Sequence, residues 1–333
     1  LPYPVSSPAL ALANAVLTED CEARANIAQI RFARTQITAA LQRAGLTVYP
    51  SQGNFVFARG IDGTWWRDAM AGLGIGIRAW PKNDALCDAI RITCPPSKAE
   101  TSRLCRAIST ITNPQAILFD MDGVLADVSR SYRAAIEQTA ARFGVEVTRS
   151  DIEEMKARGN ANNDWIVTHR LITGAGIDVT LDAVTEVFET LYQGCDSVDP
   201  LYWQETLVGS RQTLAALKAR YRLGVVTGRP RADAERFLAD FDLLSLFDSV
   251  VCMEDAPAKP DPAPVQTALA ELGVKNAWLI GDTPDDAASA RNAGVLPIGV
   301  VAPGVTNAVE TTLLRAGAAV VLDKWDQIQE RLS

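Results

Sequence analysis

The sequence predicts an α/β protein in two parts: an α+β domain, followed by a doubly wound parallel sheet with a helical cap. From Ala116 onward, short and continuously apolar runs alternate with helical stretches, a pattern that is typical of buried parallel strands. Roughly 100 mostly helical residues separate the first two runs, which is too many for a loop and indicates an inserted cap. The pattern changes at the turn signal Thr112-Asn113-Pro114.

The predicted domains follow from these changes of pattern. Residues 1–112 form the first domain, 115–127 and 206–333 form the core of the second, and 128–205 form its helical cap.

The first domain reads as a compact arrangement of α and β layers. A long helical stretch runs to about Gly45, and its apolar residues recur at helical spacing. The elements predicted after it are strands at Leu46–Tyr49 and Asn54–Ala58, a helix at Thr64–Gly72, strands at Ile75–Ala79 and Ala89–Thr93, and a helix at Lys98–Ile111.

The second domain has six predicted strands, which are Ile117–Phe119, Leu223–Val226, Ser249–Cys252, Trp278–Ile280, Pro297–Val301 and Ala319–Leu322. The cap is predicted to include helices at Tyr132–Phe143, Asp151–Arg158 and Asp182–Gln193.

Composition excludes several classes of function. The net charge of -8 argues against an electrostatic nucleic-acid binder, and no apolar run approaches the ~20 residues that cross a bilayer. Six cysteines without a C-x-x-C pair are typical of a reduced, cytoplasmic protein. His169 is the only histidine, which excludes multi-histidine metal hydrolases and phosphohistidine relays, and it is itself expected to be a packed or surface residue.

Polar residues follow several predicted strands, at the edge of the sheet where ligands bind in such folds. The first strand ends in Asp120-Met121-Asp122-Gly123, the second in Thr227-Gly228-Arg229, and the fourth in Gly281-Asp282. Lys259-Pro260-Asp261-Pro262 precedes a helix. One acidic strand end would be an ordinary helix cap or turn, but all four segments in this order indicate a reaction site.

Residue types suggest phosphoryl transfer from a small-molecule phosphate ester. Asp120 can attack phosphorus and form a covalent aspartyl-phosphate, which divides a difficult hydrolysis into two easier steps. Asp122, two residues further on, can protonate the leaving oxygen and later deprotonate water.

Carboxylates near a phosphate dianion need a cation between them. Mg²⁺ held by Asp120, Asp282 and Asp286 would meet that need. The groups expected to bind the phosphoryl oxygens are the Lys259 ammonium, the Thr227 hydroxyl and the Gly228 amide.

These motifs resemble the four motifs of the haloacid dehalogenase superfamily over about residues 116–325, whose core is Rossmann-like. The matching positions are Asp120, Asp122, Thr227, Lys259, Asp282 and Asp286. The resemblance implies that Asp122 also ligates the metal through its backbone carbonyl and that the chain belongs to the phosphatase branch. The insertion resembles the C1-type cap, which closes over the site and selects the substrate.

Polar residues of the cap have two interpretations. Asn162, Asn163 and Asp164 could hydrogen-bond a polar leaving group, or they could cap the start of a cap helix.

Residues 1–110 resemble the small, carboxy-terminal domain of a pyridoxal-phosphate aminotransferase of the histidinol-phosphate type. The similar segments are Leu1–Pro8, Tyr49–Phe55 and Ile90–Thr93, although Cys94-Pro95-Pro96 stands where a glycine turn is usual. The resemblance implies that Arg91 binds a substrate carboxylate. The cofactor-binding large domain would lie before Leu1, and no lysine precedes Lys82, so we expect neither bound pyridoxal phosphate nor transaminase activity.

A fusion with a histidine-biosynthesis enzyme favours histidinol-phosphate phosphatase as the specific activity, by analogy between fused neighbours. The chain lacks the Cys/His zinc loop of dehalogenase-type histidinol phosphatases, so it would be a different solution to that step. The alternatives are a general phosphatase acting on phosphoglycolate or a sugar phosphate, and a non-catalytic scaffold. The first domain either belongs to a longer fusion protein or survives as a docking scaffold, and its exposed face could drive formation of a homodimer.

Overall fold

A computed structural model describes residues 5–18, 20–159, 161–305 and 308–332, without the side chains of residues 20, 21 and 308. The first four residues of the aminotransferase-like opening segment lie outside the described residues. Two compact units are formed, one by residues up to Arg67 together with Ile75–Ser109, the other by Asp68–Gly74 together with the chain from Thr110.

The first unit contains a mixture of helices and antiparallel strands. Its elements, with the two helices that run across its boundary, are α1 (Ser7–Thr18), α2 (Asp20–Arg43), β1 (Thr47–Tyr49), β2 (Phe55–Arg59), α3 (Gly63–Gly72), β3 (Arg78–Ala79), β4 (Ala89–Thr93) and α4 (Lys98–Thr112). Among the described residues, four strands form a sheet in the order β1-β2-β4-β3. The third predicted strand, Ile75–Ala79, is reduced to its last two residues.

Strand periodicity explains the packing of this sheet. Successive side chains point to opposite faces, so Val56 and Ala58 of β2 are buried together with Ile90 and Ile92 of β4. Arg91 lies between the two buried isoleucines, and its guanidinium stacks 5.3 Å from the centre of the Phe55 ring.

Helix α1 is the least buried element of the first unit. None of its residues is buried, and it exposes Leu10, Leu12, Val16 and Leu17. This apolar surface is the kind of exposed face on which the predicted homodimer depends.

The second unit is built on a parallel sheet. Its strands are β5 (Ala116–Phe119), β6 (Ala126–Asp127), β7 (Thr206–Leu207), β8 (Arg222–Val226), β9 (Ser249–Val251), β10 (Ala277–Gly281), β11 (Leu296–Val300) and β12 (Val321–Leu322). In the described part of the chain, six of them pair in the order β9-β8-β5-β10-β11-β12, and every pair is parallel. The predicted doubly wound sheet is therefore confirmed.

The strand order positions the site. The chain begins in β5, adds β8 and β9 on one side, and then crosses back to add β10, β11 and β12 on the other. The order therefore reverses between β5 and β10, and ligands in such sheets bind beyond the carboxyl ends of the strands at this switch point. The short strands β6 and β7 pair separately, where the chain leaves and re-enters the core.

Helices surround the sheet and form the cap. The cap helices are α5 (Tyr132–Arg142), α6 (Arg149–Ala157), α7 (Asp164–Gly174) and α8 (Leu181–Gln193). The remaining helices are α9 (Arg211–Lys218), α10 (Arg231–Asp240), α11 (Ala263–Leu272), α12 (Pro284–Ala293), α13 (Ala308–Ala316) and α14 (Ile328–Arg331).

The sheet is the hydrophobic core of the second unit. All residues of β5, β10 and β11 are buried because helices cover both faces of the sheet, which explains the continuously apolar runs in the sequence. Phe119 packs edge-on against Phe247 and Trp325. The buried Trp325 indole donates to the Val208 carbonyl over 2.9 Å, so its polar atom has a partner.

Two further findings concern the whole described chain. Among the described residues, no helix combines the length and apolarity needed to cross a membrane. The five cysteines whose side chains are described are free thiols.

Candidate active site

Three carboxylates meet at the switch point of the sheet. Asp120 follows β5, Asp282 follows β10, and Asp286 lies in the first turn of α12. One oxygen of each lies within 4.8 Å of the others. The Asp120 amide donates to the Ile280 carbonyl over 2.8 Å, so the two neighbouring strands hold the carboxylates together.

Lys259 is the cation at the centre of this group. Its buried ammonium donates to Oδ1 of Asp120 over 2.7 Å and to Oδ1 of Asp286 over 2.5 Å. A third hydrogen bond, of 3.1 Å, goes to the Val226 carbonyl at the end of β8. The loop between β9 and α11 thus brings the lysine against two strand ends.

Local structure fixes Asp286 and Asp282. The second oxygen of Asp286 accepts hydrogen bonds from the Thr283 amide and hydroxyl in a capping box at the start of α12. Gly123 has φ +77°, and a Cβ at this position would collide with the Asp282 carboxylate. The glycine after the D-x-D segment is therefore required both for its backbone conformation and for space.

The electrostatics of the group show a shortage of positive charge. Burial raises the pKa of the Asp120 carboxyl well above its usual range, against the opposing effect of Lys259. Burial and the Asp286 carboxylate raise the pKa of Asp282 to about 7. Burial acts to lower the pKa of Lys259, but Asp120 and Asp286 outweigh it and the pKa is raised. Lys259 pairs with only two of the three carboxylates, and the more distant charges of Lys156 and Arg133 do not offset the effect of burial on Asp282, so a further cation would stabilise the site.

The residues present fit a hard divalent cation. Oδ1 of Asp282 is buried and has no hydrogen-bond partner among the described residues. Asp282 also contributes one oxygen to the cluster of carboxylate oxygens, the ligand type that Mg²⁺ prefers. An unpartnered buried carboxylate oxygen costs free energy unless a cation or donor satisfies it.

Thr227 and Gly228 follow β8 on the other side of Asp120. The Thr227 hydroxyl oxygen accepts the Arg229 amide proton over 3.2 Å, which leaves its own proton free to donate. Gly228 lines the same small cavity as Asp120 and Asp122. A Cβ on Gly228 would collide with the Asn162 carbonyl of the cap, so glycine is needed for the close approach of the two.

Asp122 lies beside the carboxylate cluster and pairs with Arg229. The Arg229 guanidinium donates to Oδ1 of Asp122 over 2.6 Å and makes a second ion pair with Glu205 over 3.0 Å. The Arg229 side chain is only 1% exposed. The sequence places Arg229 directly after the Thr227-Gly228 segment but indicates no role for it, because its partner Glu205 lies 24 residues earlier and carries no local signal.

The arginine pair is tied to the cap. Oε1 of Glu205 also accepts hydrogen bonds of 2.9 Å from the Ser131 and Tyr192 hydroxyls. Arg229 stacks over the rings of Tyr132 and Phe237, at 4.8 and 5.4 Å from their centres. A buried polar network therefore links the end of β8 to the chain segments that enter and leave the cap.

The three cap residues selected from the sequence have different partners. The Asn162 amide donates to the Lys259 carbonyl over 3.0 Å and to Asp285 over 2.8 Å, which fastens the cap to the core. Asn163 caps the start of α7 by accepting the Ile166 amide, as in the helix-capping interpretation. Asp164 forms an ion pair with Lys156 over 2.9 Å.

Arg133 lies in the first turn of α5 and was not among the site residues predicted from the sequence. It lines two cavities together with Lys156, Asp282 and Thr283. The smaller, of about 20 Å³, also contains Asp120, and the larger, of about 380 Å³, lies between α6 of the cap and the start of α12. A single arginine in a helical insertion has no sequence pattern that would reveal this position.

His169 lies in α7 of the cap. Its Nε2 is 3.0 Å from the Val179 carbonyl, and the side chain is partly buried.

Comparisons with known proteins agree with the fold and the motifs. The family model for haloacid dehalogenase-like hydrolases matches residues 117–300, more than half of the chain. The model for class I and II aminotransferases matches residues 1–108, which confirms the resemblance of the first part.

Several relatives are phosphatases by name. A phosphoglycolate phosphatase of Rhodospirillum rubrum is 30% identical over 227 residues, which cover 66% of this chain and 91% of the relative. A predicted phosphoglycolate phosphatase from Haemophilus somnus 129pt, known from a crystal structure, shares the fold with a TM-score of 0.54 and 21% identity, covering 67% of this chain and 100% of that one.

Another relative has a different name. A Phytophthora nicotianae protein named imidazoleglycerol-phosphate dehydratase is 45% identical over 225 residues, which cover 62% of this chain. The match covers 50% of that relative, so this chain spans about half of its length. From the matching family model, which covers more than half of the chain, we conclude that this chain belongs to the haloacid dehalogenase-like hydrolase family.

Proposed function

We propose that the chain hydrolyses a phosphomonoester through an aspartyl-phosphate on Asp120, with Mg²⁺ as cofactor. The observation that carries the proposal is the convergence of Asp120, Asp282 and Asp286 around Lys259 at the switch point of the sheet. The division into a core of 115–127 and 206–333, a cap of 128–205 and an aminotransferase-like domain of 1–112 is part of the same proposal.

In the first step, an Asp120 oxygen attacks phosphorus and the bond from phosphorus to the leaving oxygen breaks. Lys259 holds Oδ1 of Asp120, and within the described residues Oδ2 has no hydrogen bond that would hinder the attack. Asp122 donates its proton to the leaving oxygen. The Thr227 hydroxyl and the Gly228 amide, neither of which donates a hydrogen bond elsewhere in the described chain, bind the phosphoryl oxygens.

In the second step, water attacks the phosphorus of the aspartyl-phosphate, and Asp122 takes the proton of that water. Inorganic phosphate leaves and the Asp120 carboxylate is restored.

The metal would be held by the carboxylates of Asp120, Asp282 and Asp286 and by the backbone carbonyl of Asp122. Bound there, Mg²⁺ supplies positive charge that offsets the repulsion between the carboxylates and the phosphate dianion. The unpartnered Oδ1 of Asp282 supports this assignment.

The substrate that we favour is L-histidinol phosphate, in histidine biosynthesis. An aminotransferase match over residues 1–108 and a 45% identical relative named for a dehydratase of imidazoleglycerol phosphate fit a fused histidine-pathway protein. Glu153 lines the larger cavity beside Arg133 and Lys156, as does Glu154, whose carboxylate is paired with Arg158. That mixture of charges suits a leaving group that carries an amine next to a phosphate.

Phosphoglycolate is the second candidate. It is favoured by the 30% identity to the Rhodospirillum rubrum enzyme, which covers nearly all of that relative. A small anionic ester would also suit Arg133, which lines the cavity without an ion pair within the described residues.

The test is phosphate release from L-histidinol phosphate, 2-phosphoglycolate and a sugar phosphate, with and without Mg²⁺. Asp120→Asn should abolish turnover, whereas Asp178→Asn, at an exposed position of the cap, should leave it unchanged. A strong preference for histidinol phosphate supports the pathway assignment, and a preference for phosphoglycolate selects the second candidate. Failure to hydrolyse any ester with Mg²⁺ would contradict the proposal and leave the scaffold alternative.

The remaining assignments are also proposals. The partner is a small-molecule phosphate ester in the cytoplasm, without nucleic acid or membrane. A homodimer, if formed through the apolar surface of α1, would be detected by analytical ultracentrifugation of the full chain.

A further inference from the structure

The charged groups that face the small cavity are paired, with two exceptions. Asp120 and Asp286 share Lys259. The other ion pairs at the cavity are Asp122 with Arg229 and Lys156 with Asp164. Within the described residues, the two groups without an ion pair are Asp282, whose Oδ1 also lacks a hydrogen bond, and Arg133, whose charge reaches Asp282 only from beyond ion-pair distance and acts to lower the pKa of that carboxyl.

Arg133 is buried despite its charge. It is 7% exposed, its Nε has no hydrogen-bond partner, and no carboxylate lies within ion-pair distance of its guanidinium in the described part of the chain. A buried cation without an ion pair destabilises the fold, because water no longer solvates it and no carboxylate lies close enough to replace the water. Such a group persists where a ligand supplies the missing charge.

The position of Arg133 identifies the ligand as an anion bound next to Asp120. The arginine lines the small cavity that contains Asp120, Asp122 and Gly228, and it also lines the larger cavity under α6. Arg133 therefore lies at the border between the small cavity, where the proposed mechanism places the phosphoryl group, and the larger cavity, where it places the leaving group. Its neighbour Lys156 also lines both cavities, but that charge is already balanced by Asp164.

We propose that Arg133 is a substrate-binding residue of the cap, whose guanidinium binds an anionic oxygen group of the substrate when the cap is closed. Two sources of this group lie within the same chemistry: the phosphoryl group itself, or a carboxylate on the leaving group. The inference rests on the proposed phosphatase function, and it adds a cap residue to a site otherwise formed by the core.

The test compares Arg133→Met, which keeps the length of the side chain and removes its charge, with Arg133→Lys, which keeps the charge. Arg142→Met is the matched control, because Arg142 lies at the other end of α5 and is exposed. Binding of inorganic phosphate is measured by calorimetry in the presence of Mg²⁺, and kcat and KM are measured for p-nitrophenyl phosphate, 2-phosphoglycolate and L-histidinol phosphate.

If Arg133 binds the phosphoryl group, Arg133→Met lowers the affinity for inorganic phosphate at least tenfold, which is about 1.4 kcal/mol of binding free energy. The same substitution then lowers kcat/KM for all esters alike. If it binds a leaving-group carboxylate, phosphate affinity stays unchanged and kcat/KM falls for 2-phosphoglycolate alone. In both cases Arg133→Lys recovers part of the loss, and the control matches the wild type.

Stability separates this role from a structural one. Removal of an unpaired buried cation leaves the melting temperature of the ligand-free protein unchanged or raises it. A strong destabilisation by Arg133→Met, or unchanged phosphate binding together with unchanged kcat/KM for every ester, would overturn the proposal. Phosphate binding is measured without turnover, so a wild type that binds phosphate through Arg133 but hydrolyses no ester would refute the proposed function and not this inference.

Discussion

Arg229→Met is expected to destabilise the second unit by about 3 kcal/mol. The substitution leaves Glu205, whose side chain is 4% exposed, as a buried carboxylate without its cation. Breaking a buried ion pair from one side costs about 3–5 kcal/mol. The hydrogen bonds from Ser131 and Tyr192 to Glu205 remain, so the lower end of this range applies. The loss of the pair with Asp122 adds little to the destabilisation, because the Asp122 side chain is 23% exposed and water can solvate it.

The assay is urea denaturation followed by tryptophan fluorescence, which reports on the buried Trp278 and Trp325 of this unit. Arg158→Met is the control, since its pair with Glu154 is 67% exposed on both sides and should contribute below about 0.5 kcal/mol. The double variant Arg229→Met with Glu205→Gln should recover part of the loss, because the unpaired charge is gone. A loss below about 1 kcal/mol for Arg229→Met, or no recovery in the double variant, would refute this account of the network.

Three further predictions concern the metal site. Asp282→Asn should remove the stabilisation of the protein by Mg²⁺, and it should raise the melting temperature of the metal-free protein at pH 8. If Mg²⁺ still raises the melting temperature of this variant, Asp282 is excluded as a metal ligand. Because the pKa of Asp282 is raised to about 7, its proton stabilises the metal-free fold at low pH, and this contribution is lost as the pH rises to about 7. Because protons compete with the metal, the affinity for Mg²⁺ should be about tenfold lower at pH 6 than at pH 8. Titration calorimetry measures both affinities, and equal values would contradict the raised pKa. Gly123→Ala should cost more stability than Gly294→Ala in urea denaturation, since both glycines have positive φ but only the Cβ at Gly123 meets Asp282; equal losses would show that crowding is unimportant.

Local patterns in the sequence were sufficient for the sheet and the strand-end motifs. The strands β5, β8 and β10 are continuously apolar because both faces of a parallel sheet are covered, and the polar residues after them share one edge. Two strands are shorter than predicted. The predicted strand Ile75–Ala79, which is incompletely buried, forms only at Arg78–Ala79, and the last strand of the large sheet begins at Val321 instead of at the buried Ala319.

The cap shows what local patterns leave open. Bounds were predicted for the helices that became α5, α6 and α8, but not for α7. The sequence left two interpretations for Asn162, Asn163 and Asp164, and their partners depend on how the cap meets the core. Asn163 caps a helix through a contact three residues away, which is a local property. Asn162 bonds to Asp285, 123 residues later, and no local pattern contains that contact.

The sequence by itself determined the fold class, the domain order and the four motifs, since each of these depends on periodicity and residue type over short segments. Tertiary structure decided which charges are paired. Asp122 pairs with Arg229, which is 107 residues away in the sequence, and Lys259 pairs with Asp120, which is 139 residues away. Both pairs form because the order of the strands in the sheet brings the strand ends together. Whether Arg133 has a partner likewise depends on all the residues that pack around it, so only the folded structure shows that its Nε has no hydrogen bond within the described residues.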